Sequence, residues 1–279
     1  MTIALRPRSL EEAVRHLSAD PALVPTAGCT DLMVRGPEAL HQLDRVIDLL
    51  AVPELRGIRE VDGGLEIGAT TTFTDIGRSP AVRAAFPALA EAAGQIGGWQ
   101  IQNRATLGGN LANASPAGDS LPVLLALDAV VIAAGAGGPR EIPYAQFHTG
   151  YRQTALQPGE IVVRVRLPFL PAGSMQAFRK VGTREAQAIS KVVVALAGRV
   201  ADGRIAELRL AAGSVAATPV RLRAAETAAI GQPAGPETAV LAGRVAAQEV
   251  TPIDDVRSTA EYRRFVLERV VRRMVANLG

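Results

Sequence analysis

Cysteine is nearly missing from this sequence: Cys29 stands alone among 279 residues. One thiol cannot close an internal disulfide or hold an iron–sulfur cluster, and three histidines add too little for a Cys/His metal cage. Aromatic residues make up only 4% of the chain, so its core has to be aliphatic, built from alanine, valine and leucine. Charge of one sign is also wanting. Lys and Arg number 30 against 27 Asp and Glu, a net +3, and the two signs are interspersed, which makes no case for nucleic acid or an acidic membrane as partner. No apolar run approaches the roughly 20 residues that span a bilayer. The segment Met1-Thr2-Ile3-Ala4-Leu5-Arg6-Pro7 lacks the apolar stretch of a signal peptide. A soluble, cytoplasmic protein is expected. No Gly-x-Gly-x-x-Gly joins a strand to a helix, which argues against a Rossmann dehydrogenase.

What the chain does have is glycine in telling places. The stretch from Gln102 to Asp119 holds three glycines, three asparagines and a proline, with no helical period. Its backbone needs something specific to hold it. A diphosphate is gripped by converging main-chain N–H groups, and the chain comes close enough only where side chains are short or missing. Thr106-Leu107-Gly108-Gly109-Asn110 fits, with two bare positions rimmed by short polar side chains. A Gly-Gly pair alone is most often an ordinary turn. A second segment changes the balance: Ala22 to Thr26 reads as a short strand entering the small-residue turn Ala27-Gly28-Cys29-Thr30-Asp31, after which Leu32-Met33-Val34 resumes an apolar run. Two such bends, each hung on a strand, could grip one dinucleotide from both sides.

Taken in order, the chain opens with an edge strand from Thr2 to Arg6 and a helix whose start, Ser9-Leu10-Glu11-Glu12, is a capping box with Glu12 reaching back to Ser9. A polar helix or loop to about Gln42 precedes a strand at 45–49, and Asp62-Gly63-Gly64 marks a hairpin. Thr74 is expected to cap a short helix, Pro87 to Gly94 to form another, and Leu121 to Leu127 an apolar helix with Pro122 in its first turn. Ala129 to Ala134 reads as a buried strand, Gly135 to Arg140 as a turn, and Glu160 to Leu167 as a strand closed by Pro168. Composition shifts around Pro171-Ala172-Gly173-Ser174, which sets the expected boundary between a domain at 1–170, itself divided near residue 55, and one at 171–279. The second part predicts antiparallel strands at 175–180, 192–201 and 206–212, then helices at 221–230, 237–248 and 261–277.

The motifs Ala27-Gly28-Cys29-Thr30-Asp31 and Thr106-Leu107-Gly108-Gly109-Asn110, the second followed by Asn113-Ala114-Ser115-Pro116 and Asp119, resemble the two FAD-binding motifs of the medium subunit of molybdenum hydroxylases. Carbon monoxide dehydrogenase and xanthine dehydrogenase belong to that group. The likeness spans the chain, with Gly150 to Thr154, Pro158 to Ile161, Phe178 to Glu185, Ile189 to Val192 and Ala260 to Arg264 as further matching segments. The resemblance implies an α+β architecture: a two-subdomain FAD-binding fold of the vanillyl-alcohol-oxidase type, then a C-terminal domain with a three-stranded antiparallel sheet and helices. It implies a diphosphate held between Ala27–Asp31 and Thr106–Asn110, Asp119 bonded to ribityl or sugar hydroxyls, and Val162 and Lys180 against the flavin. A lysine charge there would stabilise a reduced, anionic ring. It further implies a large molybdopterin subunit and a small [2Fe-2S] subunit as partners, assembled as a dimer of heterotrimers, with this chain passing electrons from the clusters to an external acceptor and using no catalytic acid or base of its own.

Cys29 departs from the pattern, which usually has glycine there; its φ is either negative or strained. A small packed side chain is its commoner role, a redox thiol the bolder one. Ile96, Trp99 and Tyr151 are the nearest matches to the family's aromatic residues over the ring. His16 is expected to face solvent, His41 to lie in the polar connection and His148 to be a satisfied structural histidine near the flavin edge; a surface role is the alternative for Lys180. Arg263-Arg264 and Arg272-Arg273 are expected on a solvated or partner-facing helix side. Two other functions fit the same fold: a stand-alone FAD-dependent oxidoreductase acting directly on a small substrate, for which only Tyr151 or His148 could handle a proton, and a binding module that has lost its flavin.

Overall fold

The computed structural model describes residues 3–36, 38 and 43–278; the predicted polar connection to Gln42, with His41, falls mostly outside them. A small parallel sheet comes first, with β3 (Arg45–Asp48) flanked by β1 (Ile3–Leu5) and β2 (Val24–Thr26). Between β1 and β2 runs α1 (Leu10–Ala19), which buries Ala13 and Leu17. Ser9 Oγ accepts the Glu12 amide at 3.1 Å as predicted, but the Glu12 carboxylate turns one residue further back and takes the Arg8 amide at 2.6 Å. After β2 the chain enters α2 (Thr30–Val34), which leaves Met33 and Val34 exposed.

The second sheet is antiparallel throughout. Its order is β4 (Ile58–Val61), β5 (Gly64–Gly68), β10 (Ile161–Pro168), β6 (Val130–Gly135) and β7 (Gly138–Pro143). The hairpin at Asp62-Gly63 forms as its turn residues require, with Gly63 at φ 73°. β7 was not foreseen: the predicted turn at 135–140 shrinks to Ala136-Gly137, because Gly135 already pairs with Gly138.

Helices fill the long excursion from β5 to β6: α3 (Phe73–Arg78), α4 (Pro80–Ala85), α5 (Pro87–Gln95), α6 (Trp99–Gln102), α7 (Leu107–Asn113) and α8 (Ser120–Ala126). Thr72, not Thr74, caps α3, its hydroxyl accepting the Asp75 amide; Thr74 lies inside the helix and donates to Asn103 Oδ1 at 2.6 Å. α4 escaped prediction because six residues with one buried apolar side chain, Val82, carry no readable period. Beyond β6 and β7, the short strands β8 (His148–Gly150) and β9 (Gln153–Thr154) form a two-stranded ribbon.

The third sheet holds β11 (Met175–Val181), β12 (Val192–Ala201) and β13 (Arg204–Gly213), extended by a two-residue β14 (Val220–Arg221), so the implied three strands are four. Three helices follow close to their predicted places: α9 (Arg223–Ala229), α10 (Pro236–Gln248) and α11 (Ala260–Ala276).

β12 explains how the parts cohere. Its side chains alternate between two cores: Val192, Val194 and Leu196 pack with α9 to α11, while Val193, Ala195 and Ala197 join the core that contains Leu107, Leu111 and Leu121. A strand covered on both faces must be apolar at every position, which is why Val192-Val193-Val194-Ala195-Leu196-Ala197 lacks polar alternation. Each buried valine or leucine contributes roughly 1.5–3 kcal/mol. A third core joins α1 and the first sheet to Ile132, Ala134, Ile161 and Val163 on the second.

Candidate functional site

The two small-residue motifs meet. A Cβ placed on Gly28 would fall 1.8 Å from the carbonyl oxygen of Arg104 and 3.1 Å from Ala105 Cα, so the first bend lies directly on the backbone leading into the second. Only a residue without a side chain permits that approach. The first bend follows the strand β2 as predicted, but Thr30 and Asp31, read as part of the turn, already begin the helix α2. The second is not hung on a strand: it is the N-terminal turn of α7, capped by Thr106, and α7 ends at Ala114 in the left-handed region. The Gly-Gly-Asn sequence hides this helix because glycine and asparagine are weak helix formers, and only Leu107 and Leu111 mark its buried face.

The two bends offer different things. Among the described residues, the amides of Gly28 through Leu32 find no acceptor, so a run of main-chain donors is open at the first. At the second the donors are committed. Leu107 N–H bonds Thr71 O at 3.1 Å, Gly108 N–H bonds Ala69 O at 2.8 Å, Gly109 N–H bonds Thr106 Oγ1 at 3.1 Å, and Asn110 N–H bonds Thr106 O at 3.0 Å. The picture of amides converging equally from both bends is therefore corrected. Gly108 is bare so that α7 can dock on the end of β5, where a Cβ would lie 2.6 Å from that of Ala69. Gly109 faces outward, exposed.

Cys29 has φ 60° and ψ 7°, the strained alternative, in the conformation a glycine would adopt without cost. Its thiol donates to Ala27 O at 3.2 Å. Arg152, which sequence reasoning did not single out, bonds the helix that begins with the second motif, and its charge is felt by Asp31 of the first. Its Nη1 donates to Asn113 Oδ1 on α7 at 2.9 Å. Burial pushes the Asp31 carboxyl up, against the opposing pull of Arg152 and Arg35. The signal was present: Arg152 lies in the segment Gly150 to Thr154 already marked by resemblance. Asn110 Oδ1 accepts the Ser120 hydroxyl at 2.7 Å and so holds α7 to α8.

Asp119 and Lys180 come together, but with each other. Lys180 Nζ stands 2.6 Å from Asp119 Oδ2 and donates to Gln95 O at 2.8 Å, while Ser190 donates to Asp119 Oδ1. Both side chains are buried, at 5% and 8% exposure, so the surface-lysine alternative fails and the lysine charge is matched where it stands. Burial pushes the Asp119 carboxyl up, against the pull of Lys180 and the Ser190 hydroxyl. Val162 is buried in the core that holds Leu107 and Leu111, next to a bulge in β10. Ile96 is buried, whereas Trp99 and Tyr151 are 75% and 62% exposed. His148 donates from Nε2 to Leu111 O at 2.9 Å, which leaves Nδ1 to accept from Tyr144 Oη at 3.3 Å, a satisfied structural histidine. Half-buried His16 stands 3.7 Å from Glu12. Arg263 overturns the solvated-face expectation: it is buried and donates to Ser214 O at 2.6 Å, Asp255 Oδ1 at 2.7 Å and Lys191 O at 3.1 Å.

Among the described residues, no cluster of three or more His, Cys, Asp or Glu could hold a metal, and no helix is long and apolar enough to cross a membrane. The open amides of 28–32, the bare outward face at Gly109 and the Arg152 guanidinium fit a diphosphate.

Comparison with known proteins agrees with that chemistry. Residues 2–170 match the family model described as the FAD binding domain in molybdopterin dehydrogenase, and residues 176–278 match the CO dehydrogenase flavoprotein C-terminal domain. The xanthine dehydrogenase FAD-binding subunit of Escherichia coli O157:H7 is 32% identical over 273 residues, covering 97% of this chain and 94% of that one. The carbon monoxide dehydrogenase medium chain of Hydrogenophaga pseudoflava is 31% identical over 270 residues, covering 96% and 93%. The solved structure of carbon monoxide dehydrogenase from that organism, lacking the Mo-pyranopterin moiety of the molybdenum cofactor, superposes with a TM-score of 0.94 at 32% identity, covering 98% of this chain and 95% of that one. Matched along nearly its whole length in sequence and in fold, the chain belongs to the family of FAD-binding flavoprotein subunits of the molybdopterin dehydrogenases.

Proposed function

We propose that this chain is the FAD-carrying electron-transfer subunit of a heteromeric molybdenum hydroxylase. It takes electrons from the [2Fe-2S] clusters of a small subunit, fed in turn by a large molybdopterin subunit, and passes them to an external acceptor. When bound, FAD supplies the redox carrier. Residues 1–170 form the FAD-binding domain, in subdomains divided near residue 55, and residues 171–279 the C-terminal domain. Ala27 to Asp31 bind the diphosphate through open main-chain N–H groups. Thr106 to Asn110 present a bare backbone against it, with Gly109 outermost. Arg152 supplies the counter-charge. Val162 backs the ring, and the Asp119–Lys180 pair fixes the surrounding elements rather than offering a free charge. The assembly is a cytoplasmic dimer of heterotrimers.

The contact of Gly28 with Arg104 carries this reading, because it brings two distant motifs to one place. The test is the FAD content of the purified chain, followed by co-purification with its partners. A yellow protein near one FAD per chain, reduced by substrate only when the other subunits are present, is the expected result. Reduction of the isolated chain by a small organic substrate would instead establish a stand-alone oxidoreductase, and a colourless protein that takes up no FAD would overturn both.

A further inference from the structure

A hollow of about 150 Å³ opens between residues of the two halves of the chain, with no residue of either glycine motif on its lining. Leu125, Tyr144, Ala145 and His148 form one wall; Thr218, Pro219, Arg221 and Arg223 form the other. Its chemistry is lopsided, with two guanidinium groups, a hydroxyl, a phenol and an imidazole on the lining and no carboxylate. Arg221 is held in place from behind: its Nε donates to Glu226, and its Nη1 donates to Asp128 Oδ1 at 2.6 Å and Leu125 O at 3.3 Å. Those two carboxylates match its charge, yet its Nη2 donates to nothing among the described residues. Among the described residues Arg223 makes no ion pair within 4.0 Å, although its charge is felt by the Glu226 carboxyl, and the Thr218 hydroxyl makes no hydrogen bond. Glu249 lies close by but is occupied by the Ala224 and Ala225 amides. Glu226 and Glu249 offset much of the Arg223 charge, so what the wall offers is unused N–H donors, on Arg223 and on Nη2 of Arg221.

We propose that this interdomain hollow binds a small oxyanion, held by Arg223, the free Nη2 of Arg221 and the Thr218 hydroxyl. A volume of 150 Å³ falls below the roughly 300–1,000 Å³ of pockets for larger ligands, so the occupant is a phosphate or a small carboxylate rather than a nucleotide. Arginine side chains suit both, since their N–H groups match paired oxygens. The opposite wall supplies no free donor, because both His148 ring nitrogens are engaged. His148 lines it and also bonds Leu111 O on α7, the helix that begins with the second glycine motif.

The test is calorimetric titration of the full-length chain, saturated with FAD, with inorganic phosphate in phosphate-free buffer, and separately with succinate. One saturable site is expected, and the two titrants distinguish a phosphate from a carboxylate occupant. Arg223→Gln weakens binding at least about tenfold, the factor for one lost charge-assisted hydrogen bond. Thr218→Val weakens it less. Both positions are half-buried or exposed and outside the structural ion pairs, so folding is preserved, and unchanged FAD content verifies this. The proposal is overturned if neither titrant saturates by about 10 mM, or if Arg223→Gln binds as the parent does.

Discussion

Replacing Gly28 with alanine tests the meeting of the two motifs most directly. Gly28 does not occupy the left-handed region, so a methyl group there meets no conformational penalty and the whole effect is steric. The new Cβ would lie 1.8 Å from Arg104 O, where contacts under 3.0 Å are essentially never seen, so one backbone must retreat by more than 1 Å. No rotamer change relieves a clash with a carbonyl. Retreat is resisted on the far side, where Arg104 N–H bonds Ile101 O at 3.0 Å, Ala105 N–H bonds the same oxygen at 2.7 Å, and Ala105 O accepts Phe73 N–H at 3.1 Å. Overpacking of this kind costs about 1–3 kcal/mol, and a clash with backbone belongs at the upper end. If the motifs stay together, the apoprotein loses about 3 kcal/mol, read as a lowered urea midpoint. If they separate, stability is kept and the same energy is taken from FAD binding, a fall of about 100-fold. Urea unfolding of the apoprotein and FAD titration by fluorescence quenching, run together, distinguish the routes. A Gly28→Ala protein with parental stability and parental FAD affinity would refute the geometry.

Four further outcomes are expected. Cys29→Gly should raise stability by about 0.5–1 kcal/mol, since relief of a left-handed non-glycine residue, about 1–2 kcal/mol, exceeds the added entropy of glycine in the unfolded chain; a lowered denaturation midpoint would contradict this. Lys180→Met should cost about 3–5 kcal/mol by leaving the Asp119 carboxylate buried without its partner, and Asp119→Leu/Lys180→Met should recover most of that loss; additive single effects in a double-mutant cycle would count against a coupled pair. Gly108→Ala should lower the urea midpoint, because its methyl meets Ala69 backbone at 2.8 Å, whereas Gly109→Ala should keep stability and lower FAD content, because its methyl meets only the Thr106 hydroxyl at 2.9 Å and otherwise points to where the diphosphate lies; the reverse pattern would put the roles of the two glycines in doubt. Burial pushes the Asp255 carboxyl up but is outweighed by the Arg257 amide and the Arg263 and Arg257 guanidinium groups, which hold it near 2. A depressed carboxyl contributes stability above its unfolded value of 3.8 that is lost as pH falls toward 2. Asp255→Asn should therefore lower the urea midpoint at neutral pH, with a deficit that shrinks across that window; a deficit independent of pH would mean the charge is irrelevant.

Local chemistry made much of this protein legible in advance. Ser9, Asp62-Gly63 and Pro168 act on their immediate neighbours, so the elements they begin, turn or end stand close to where they were expected. The stretch 192–201 was legible as a strand, and the two small-residue bends as places where backbone can come close, whereas burial of β12 on both faces emerged only in the fold. Their partners were beyond the reach of sequence. That Gly28 meets Arg104, that Asp119 before α8 is matched by Lys180 on β11, and that Arg152 reaches Asn113 are contacts between residues far apart in the chain, set by how the elements pack. The helix inside the Gly-Gly-Asn stretch was hidden for the same reason: propensity opposes it, and only packing of Leu107 and Leu111 into a core shared with the C-terminal sheet stabilises it. Sequence alone determined which positions lack side chains and where the chain turns. Tertiary structure decided what those gaps accommodate and which charges are matched, because both depend on distances that spacing along a chain does not encode.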